Sequence, residues 1–266
     1  MRLPNILLYG FVALVLIWLM IPVLIILPMS FSGARFLTFP PPSWSFRWYE
    51  AYLGSAAWMQ ATRTTLLIGV CSSVIATILG TAAAYALNLG NTRLVRSLQM
   101  ILLLPLVVPI VIIAVGVFLV YAHVGLLATL TGLVVANVML GLPYVITSVL
   151  VGLRKFDQTQ EMVARSLGMN RWRSFFAVTL PQIRPSVISG MLFAFISAID
   201  ETVVALFISG GETQTLTKRM FTALRDEIDP TIAAISSLLT AASFLLVMLA
   251  ALNARSTERR QQGRRG

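Results

Sequence analysis

Two adjacent carboxylates, Asp200 and Glu201, lie within an apolar run that extends over residues 183–207. An ionised side chain in a bilayer core costs about +2.5 to +3.5 kcal/mol on insertion scales unless it is paired or hydrated, so such residues usually face a cavity or a solute pathway. A cationic solute would favour carboxylates there. Neighbouring helical residues point about 100° apart, so one carboxylate can line a path while the other pairs within the protein.

A second interpretation of the same pair stays open. The Ser-Gly-Gly sequence at 209–211 favours a broken helix close to Asp200 and Glu201, because glycine adopts backbone angles that other residues avoid. In that case the two carboxylates form a structural gate or a helix cap and never touch a solute.

Residues for catalysis are scarce. The sequence contains one histidine and one cysteine, no G-x-x-x-x-G-K-[ST] phosphate-binding loop, no G-x-S-x-G elbow and no His/Cys cluster with metal-ligand spacing. We therefore predict that the chain is not an enzyme, that it holds no metal or cofactor, and that any ATP used with it is bound elsewhere.

A basic segment separates two apolar runs and is called here the polar loop (residues 153–182). Its central sequence is EMVARSLGMNRWRSFFAVTLP, from Glu161 to Pro181. Gly168 interrupts a helical pattern, and apolar residues recur at helical spacing between Trp172 and Leu180. The pattern predicts a helix, a turn at Gly168, and a second helix ended by Pro181. Such a piece is large enough to dock on a partner.

The composition is that of an integral membrane protein. Of the 266 residues, 58% are hydrophobic and 11% are charged, whereas a soluble domain averages about 25% charged residues. Apolar runs of about 20 residues are long enough to cross a bilayer. We predict an all-α membrane protein with about six spans. The predicted spans cover residues 6–29, 64–89, 99–121, 126–151, 183–207 and 230–252.

The spans suggest four regions of the chain. Residues 1–29 form the first helix, and 30–63 form an outer loop whose Trp and Tyr residues predict a short interfacial helix. Residues 64–252 form a core of five spans that includes the polar loop, and 253–266 form a basic tail. With both termini in the cytoplasm, fourteen of the 20 Lys and Arg residues lie inside, as positively charged loops require. The net charge of +10 is assigned to these loops and not to nucleic-acid binding.

The polar loop resembles the cytoplasmic loop of permease subunits of ATP-binding-cassette importers. In that family Glu-Ala-Ala is followed after three residues by Gly, and after nine more by an aliphatic residue, one residue and Leu-Pro. Gly168 and the Val178-Thr179-Leu180-Pro181 sequence match this pattern, as does Ala164. Met162 and Val163 stand where Glu and Ala are usual, and Glu161 is a neighbouring acid one position early.

The resemblance implies a type I importer permease whose loop is a coupling helix docked on an ATPase. Ala164, Gly168, Leu180 and Pro181 would form the docking framework, with Glu161 and Arg165 as polar contacts. The implied partners are an ATP-binding-cassette ATPase dimer that binds the ATP, a second permease, a periplasmic solute-binding protein and membrane lipid. The expected location is the bacterial inner membrane.

Residues 194–239 are also similar to permeases of the spermidine/putrescine importer type. This similarity implies a polyamine or related small cation as the solute, with Asp200 and Glu201 along its pathway. The same subgroup resembles permeases for amino-acid derivatives, aminophosphonates and ferric iron, and these remain alternatives. A secondary transporter driven by an ion gradient is a more distant alternative. It predicts charges in several spans and usually an internal repeat, and neither is present in the sequence.

Overall fold

The computed structural model of the chain describes residues 3–90, 92–226 and 229–262. The described residues are mostly helical, which confirms the predicted all-α fold. The α-helices are α1 Leu3–Ser30, α2 Arg47–Gly54, α3 Ala56–Leu89, α4 Arg93–Leu103, α5 Ile110–Val124, α6 Leu130–Lys155, α7 Gln158–Ser166, α8 Arg171–Ser174, α9 Leu180–Asp200, α10 Val203–Ile208, α11 Leu216–Asp226 and α12 Thr231–Gln262.

The chain divides into two compact units. One contains the N-terminal segment as far as Met59 together with Met220–Leu245, and the other contains Gln60–Arg219 with the segment that begins at Leu246. In the first unit, α1 is an apolar helix whose side chains are exposed over residues 8–22, whereas Ser30 at its end is buried. It continues through Pro22 and Pro28 and ends two residues after the second proline. The predicted short helix of the outer loop is α2.

Helix α6 is the centre of the second unit. Leu133, Val145 and Val149 on this helix are almost completely buried. Helix α9 packs closely against α6 because small residues occupy their contact. A Cβ atom at Gly190 would lie 3.0 Å from Cα of Val145, and one at Gly141 would lie 3.2 Å from Cβ of Ala194. Small residues at such contacts let two membrane helices approach closely, where packing and not the hydrophobic effect holds them.

The third predicted span, 99–121, is interrupted in the structure. Helix α4 leads into a 3₁₀ turn at Leu104–Leu106, and α5 starts at Ile110 after a bend of 99°. Pro105 and Pro109 lie in and just after the turn. Proline lacks an N–H and disfavours the helical conformation of the residue before it, so two prolines four residues apart break the helix instead of only kinking it.

The fifth predicted span, 183–207, is also interrupted. Helix α9 ends at Asp200, and the six-residue α10 begins at Val203. In the part of the chain that the structure describes, four helices are long and apolar enough to cross a bilayer, or five if the bent α4–α5 pair is one span. Thr231–Leu245 is a further, shorter apolar segment within α12.

Candidate functional site

The first helix of the polar loop, α7, starts at a defined cap. The Asp157 carboxylate accepts a hydrogen bond from the backbone N–H of Thr159 at 3.0 Å. Hydrogen bonds from the Thr159 hydroxyl and backbone N–H hold the pKa of Asp157 below its usual value. The cap is therefore ionised at neutral pH, and its charge suits the positive end of the helix dipole.

Gly168 ends α7 as predicted, and it does so with a φ of +93°. The N–H of Gly168 donates to the carbonyl of Arg165 at 3.0 Å, and the N–H of Met169 donates to the carbonyl of Ala164 at 3.2 Å. These two bonds form a Schellman motif, which satisfies the last carbonyls of a helix when the next residue is left-handed. Space around Gly168 is open, so only its backbone angle requires glycine.

The second helix of the polar loop does not stop at Pro181, and that prediction is wrong. Asn170 caps α8 by accepting a hydrogen bond from the N–H of Arg173. The chain then passes through a π-helical turn, Phe175–Thr179, directly into α9. In this turn the N–H of Leu180 bonds to the carbonyl of Phe175, five residues back. Pro181 occupies the first turn after it, where a missing N–H is tolerated.

Glu161 is the buried centre of the polar loop, with 8% of its surface exposed. Its carboxylate accepts a hydrogen bond from the Tyr85 hydroxyl of α3 and another from the Thr179 hydroxyl at 2.5 Å. The Tyr85 ring lies 4.6 Å from the ring of Phe175, and the Arg171 guanidinium lies 5.9 Å from the Tyr85 ring. This cluster attaches α7 to α3 and to the π turn at once.

The residues of the expected docking framework do not share one surface. Ala164 is buried beside Glu161, and Leu180 is half-buried against the core around α6. Arg165, Gly168 and Pro181 are exposed. The loop therefore has an inner face, which fixes it to the transmembrane helices, and an outer face, which is free to bind another molecule.

A cavity of about 750 Å³ lies where the two helix breaks meet, and is called here the Asp200 cavity. The break between α4 and α5 lines one part of it, and the break between α9 and α10 lines another. Tyr144 of α6 and Ser197 of α9 add polar groups to its wall. Irregular backbone at membrane depth is tolerated where it lines a cavity or is buried in protein.

The structure separates the two carboxylates. The Glu201 carboxylate accepts hydrogen bonds from the N–H groups of Val204 and Ala205 at 2.6 and 2.9 Å, so it caps the first turn of α10. Asp200 is exposed and lines the Asp200 cavity. Within the described residues, no hydrogen bond or ion pair is found for its carboxylate. The alternative of a helix cap thus describes Glu201 and not Asp200.

Helix α10 is held at its other end as well. The Lys218 ammonium donates to the carbonyls of Leu206 and Ser209, the former at 3.2 Å. The Thr217 hydroxyl donates to the Glu201 carbonyl at 2.9 Å. A cation at the carboxyl end and an anion at the amino end both match the helix dipole. The position of α10, and with it the wall of the cavity, therefore depends on charged groups at both of its ends.

Several of these groups were not identified from the sequence. Tyr85 and Lys218 carry no local signal. Glu161, the partner of Tyr85, lies 76 residues away in the chain, and Leu206, a partner of Lys218, lies 12 residues away. Thr179 is the polar residue inside the Val-Thr-Leu-Pro pattern, and its position there is a sequence signal for a buried hydrogen bond. Tyr144 offers no signal either, because it is a single polar residue within an apolar span.

Comparison with known proteins agrees with this geometry. The family model of the binding-protein-dependent transport system inner membrane component matches residues 76–260. The putrescine transport system permease protein PotI of Escherichia coli K12 is 34% identical over 257 residues, which cover 92% of this chain and 91% of PotI. The spermidine/putrescine transport system permease protein PotC of Haemophilus influenzae is 28% identical, with 91% of this chain and 94% of PotC covered.

The fold is shared with a solved importer. A chain of a bacterial alginate ABC transporter, crystallised with an alginate pentasaccharide-bound periplasmic protein, superposes with a TM-score of 0.70 at 14% identity and covers 97% of this chain. That likeness concerns the fold alone. The family match over residues 76–260 and the identity to PotI show that the chain belongs to the inner-membrane permease components of binding-protein-dependent ABC transport systems.

Proposed function

We propose that this chain forms half of the membrane pathway through which an ATP-driven importer takes up a polyamine such as putrescine or spermidine. The free carboxylate of Asp200 in the wall of the Asp200 cavity is the observation that supports it most directly. A polyamine carries several ammonium groups, and a carboxylate inside a low-dielectric cavity favours such a cation. The names of the relatives PotI and PotC agree with this class of solute.

Asp200 and Glu201 have different roles in this proposal. Asp200 contacts the passing cation. Glu201 acts on the pathway indirectly, because it fixes α10 at the edge of the same cavity. The two helix breaks supply the moving parts, since the segments on either side of a break can rotate as rigid pieces. Alternating access then requires only that the cavity open towards one side of the membrane at a time.

The chain works as one subunit of a larger assembly. A second permease completes the pathway, two ATP-binding-cassette subunits bind and hydrolyse the ATP on the cytoplasmic side, and a periplasmic binding protein delivers the solute. The alginate transporter that shares the fold was crystallised with such a periplasmic protein. Both termini are placed in the cytoplasm, because most basic residues then lie inside.

The polar loop is the proposed contact with the ATPase. Its inner face is fixed to α3 and α9 through Glu161, so a displacement of α7 moves those helices with it. The Schellman motif at Gly168 sets the angle between α7 and α8. A rigid loop with one attached and one free face is suited to transmit motion from the ATPase to the membrane helices.

The experiment that tests the transport role is ATP hydrolysis by the purified complex in lipid, with the binding protein present. The screen covers putrescine, spermidine, amino-acid derivatives and aminophosphonates. We expect polyamines to stimulate hydrolysis. Stimulation by an anionic or neutral solute, with none by a polyamine, would contradict the proposed substrate and leave the permease role intact. If no ATPase purifies with the chain, the permease role itself fails.

A further inference from the structure

The distribution of side chains on α7 is the reverse of that on an ordinary surface helix. Its acid, Glu161, is buried, whereas Met162 and Val163 are 57% and 53% exposed. Leu167, which follows the helix, is 81% exposed. Met162, Val163 and Leu167 lie within an arc of about 140° at 3.6 residues per turn, so they share one exposed side of α7, on which Thr159 and Ser166 also lie. We call this set the apolar face of α7.

The exposed charges of the polar loop are mainly positive. Five cations between residues 154 and 173 are exposed, whereas Asp157 is the one exposed acid in that interval of the described chain. The other acid, Glu161, is turned inward and accepts hydrogen bonds from the Tyr85 and Thr179 hydroxyls. The exposed cations are Arg154, Lys155, Arg165, Arg171 and Arg173.

From these two observations we infer the chemistry of the partner surface: the ATPase that serves this permease presents an apolar groove floor to Met162, Val163 and Leu167, with carboxylates along its rim. This inference rests on the proposed docking of the polar loop. It depends on what this chain has at residue 162, where a glutamate would require a polar or cationic groove and Met162 requires an apolar one.

The energetics favour such an arrangement. Burying a Met, Val or Leu side chain is worth about 1.5–3 kcal/mol, so the apolar face can supply most of the binding free energy. The exposed cations add little affinity each, but they orient the encounter with an acidic rim and raise the association rate. An ATPase with a cationic groove would be rejected, because its charges would repel the exposed cations of the polar loop.

Acids placed on the apolar face test the inference. In the reconstituted complex, Met162→Glu and Leu167→Glu are compared with Ala177→Glu, which adds the same charge at an exposed site of the π turn, outside α7. The readout is the affinity of the permease for the ATPase subunit that purifies with the wild-type complex. We expect the first two variants to lower this affinity about tenfold or more and the control to change it less than about twofold.

Salt and lipid distinguish the remaining outcomes. With an acidic rim, the association rate falls as salt rises from about 50 to about 500 mM, and Arg165→Gln makes this fall shallower. A rate that is independent of salt overturns the acidic rim. The measurements are repeated in nanodiscs of neutral lipid and of lipid with anionic headgroups. A loss in Met162→Glu that occurs only in anionic nanodiscs assigns the face to the membrane surface and overturns the inference.

Failure of the inference and failure of the docking proposal give different results. If Gly168→Val weakens ATPase association but Met162→Glu and Leu167→Glu do not, the loop docks through other atoms and only the apolar groove is wrong. If none of these variants affects association, the polar loop is not the docking element.

Discussion

The Tyr85 hydroxyl of α3 donates a hydrogen bond to the Glu161 carboxylate of α7, across 76 residues of sequence. The Thr179 hydroxyl donates to the other oxygen of the same carboxylate. Three segments that are far apart in the chain are thus joined at one buried acid. A coupling element that must move together with two membrane helices needs such an attachment, because packing alone permits it to slide.

Removal of this acid should uncouple the loop. In Glu161→Ala the buried Thr179 hydroxyl loses its partner, at a cost of about 1–3 kcal/mol, and the half-buried Tyr85 hydroxyl loses its hydrogen bond as well. We expect a lower unfolding temperature in detergent and ATP hydrolysis that no longer responds to substrate. Glu161→Gln keeps an acceptor oxygen and should show a smaller loss.

A double-mutant cycle isolates the pair. Tyr85→Phe and Glu161→Gln are combined, and their effects on unfolding should be non-additive by about 0.5–3 kcal/mol, as for residues in one hydrogen-bond network. Additive effects would show that the two side chains do not interact in the membrane.

Gly168 offers a test of backbone conformation by itself. A Cβ atom would meet nothing within 4 Å, so the cost of Gly168→Ala arises only from φ of +93°. For an L-residue this left-handed conformation costs about 1–2 kcal/mol. We expect weaker ATPase association with the transmembrane helices intact by circular dichroism.

Gly116 provides the matched control for that experiment. It lies inside α5, and its Cβ would also meet nothing within 4 Å. Because Ala favours a helix interior, Gly116→Ala should leave association unchanged. Equal losses in both variants would mean that the angle at Gly168 is irrelevant to docking. Gly168→Asn should retain more association than Gly168→Ala, since Asn tolerates the left-handed region best among the remaining residues.

The two carboxylates at the break should respond differently to neutralisation. Asp200→Asn leaves every hydrogen bond of the described structure in place, so we expect a normal unfolding temperature and a loss of polyamine-stimulated ATP hydrolysis. Glu201→Ala removes the cap of α10 and should lower stability by about 0.5–2 kcal/mol. Unfolding is followed by the temperature dependence of tryptophan fluorescence. If Asp200→Asn lowers the unfolding temperature and leaves polyamine-stimulated ATP hydrolysis unchanged, Asp200 has a structural role and does not contact the solute.

Lys218 should stabilise the cavity wall from outside the cavity. In Lys218→Met the carbonyls of Leu206 and Ser209 lose a charged donor, and hydrogen bonds to charged groups are worth about 1.5–3 kcal/mol. We expect a lower unfolding temperature and faster hydrogen exchange in α10. Arg225→Met is the control on the same helix, since Arg225 is exposed and its contact with Asp226 at 3.9 Å is a surface ion pair. An equal effect of the two variants would argue against a role for the Lys218 contacts.

The sequence predicted the spans better than it predicted their interruptions. Hydrophobicity is averaged over a window, so the runs 99–121 and 183–207 each read as one helix although the structure divides both. Pro105 and Pro109 are visible in the sequence, but their effect depends on whether neighbouring groups satisfy the freed carbonyls. The function of Glu201 follows only from the break, since a continuous helix would leave no free N–H groups for it to cap.

The polar loop was predicted more completely, because its signals are local. The left-handed turn at Gly168 follows from the residue type and from the polar sequence around it. The fate of Pro181 was mispredicted, because the π turn before it depends on how Phe175 and Thr179 pack against α3 and α7. The burial of Glu161 likewise needed a partner on another helix.

The π turn at Phe175–Thr179 has a consequence for insertions and deletions in this chain. A π turn holds one residue more than an α-helix would, and deletion of that residue would rotate everything on its amino-terminal side by about 100° about the helix axis. Arg171 and Trp172 would then face a different direction, while Pro181 and the span beyond it would keep theirs. The number of residues between Gly168 and Pro181 therefore fixes the direction in which α8 faces as well as the length of the segment. Substitutions in this segment should be tolerated far better than the deletion of one residue.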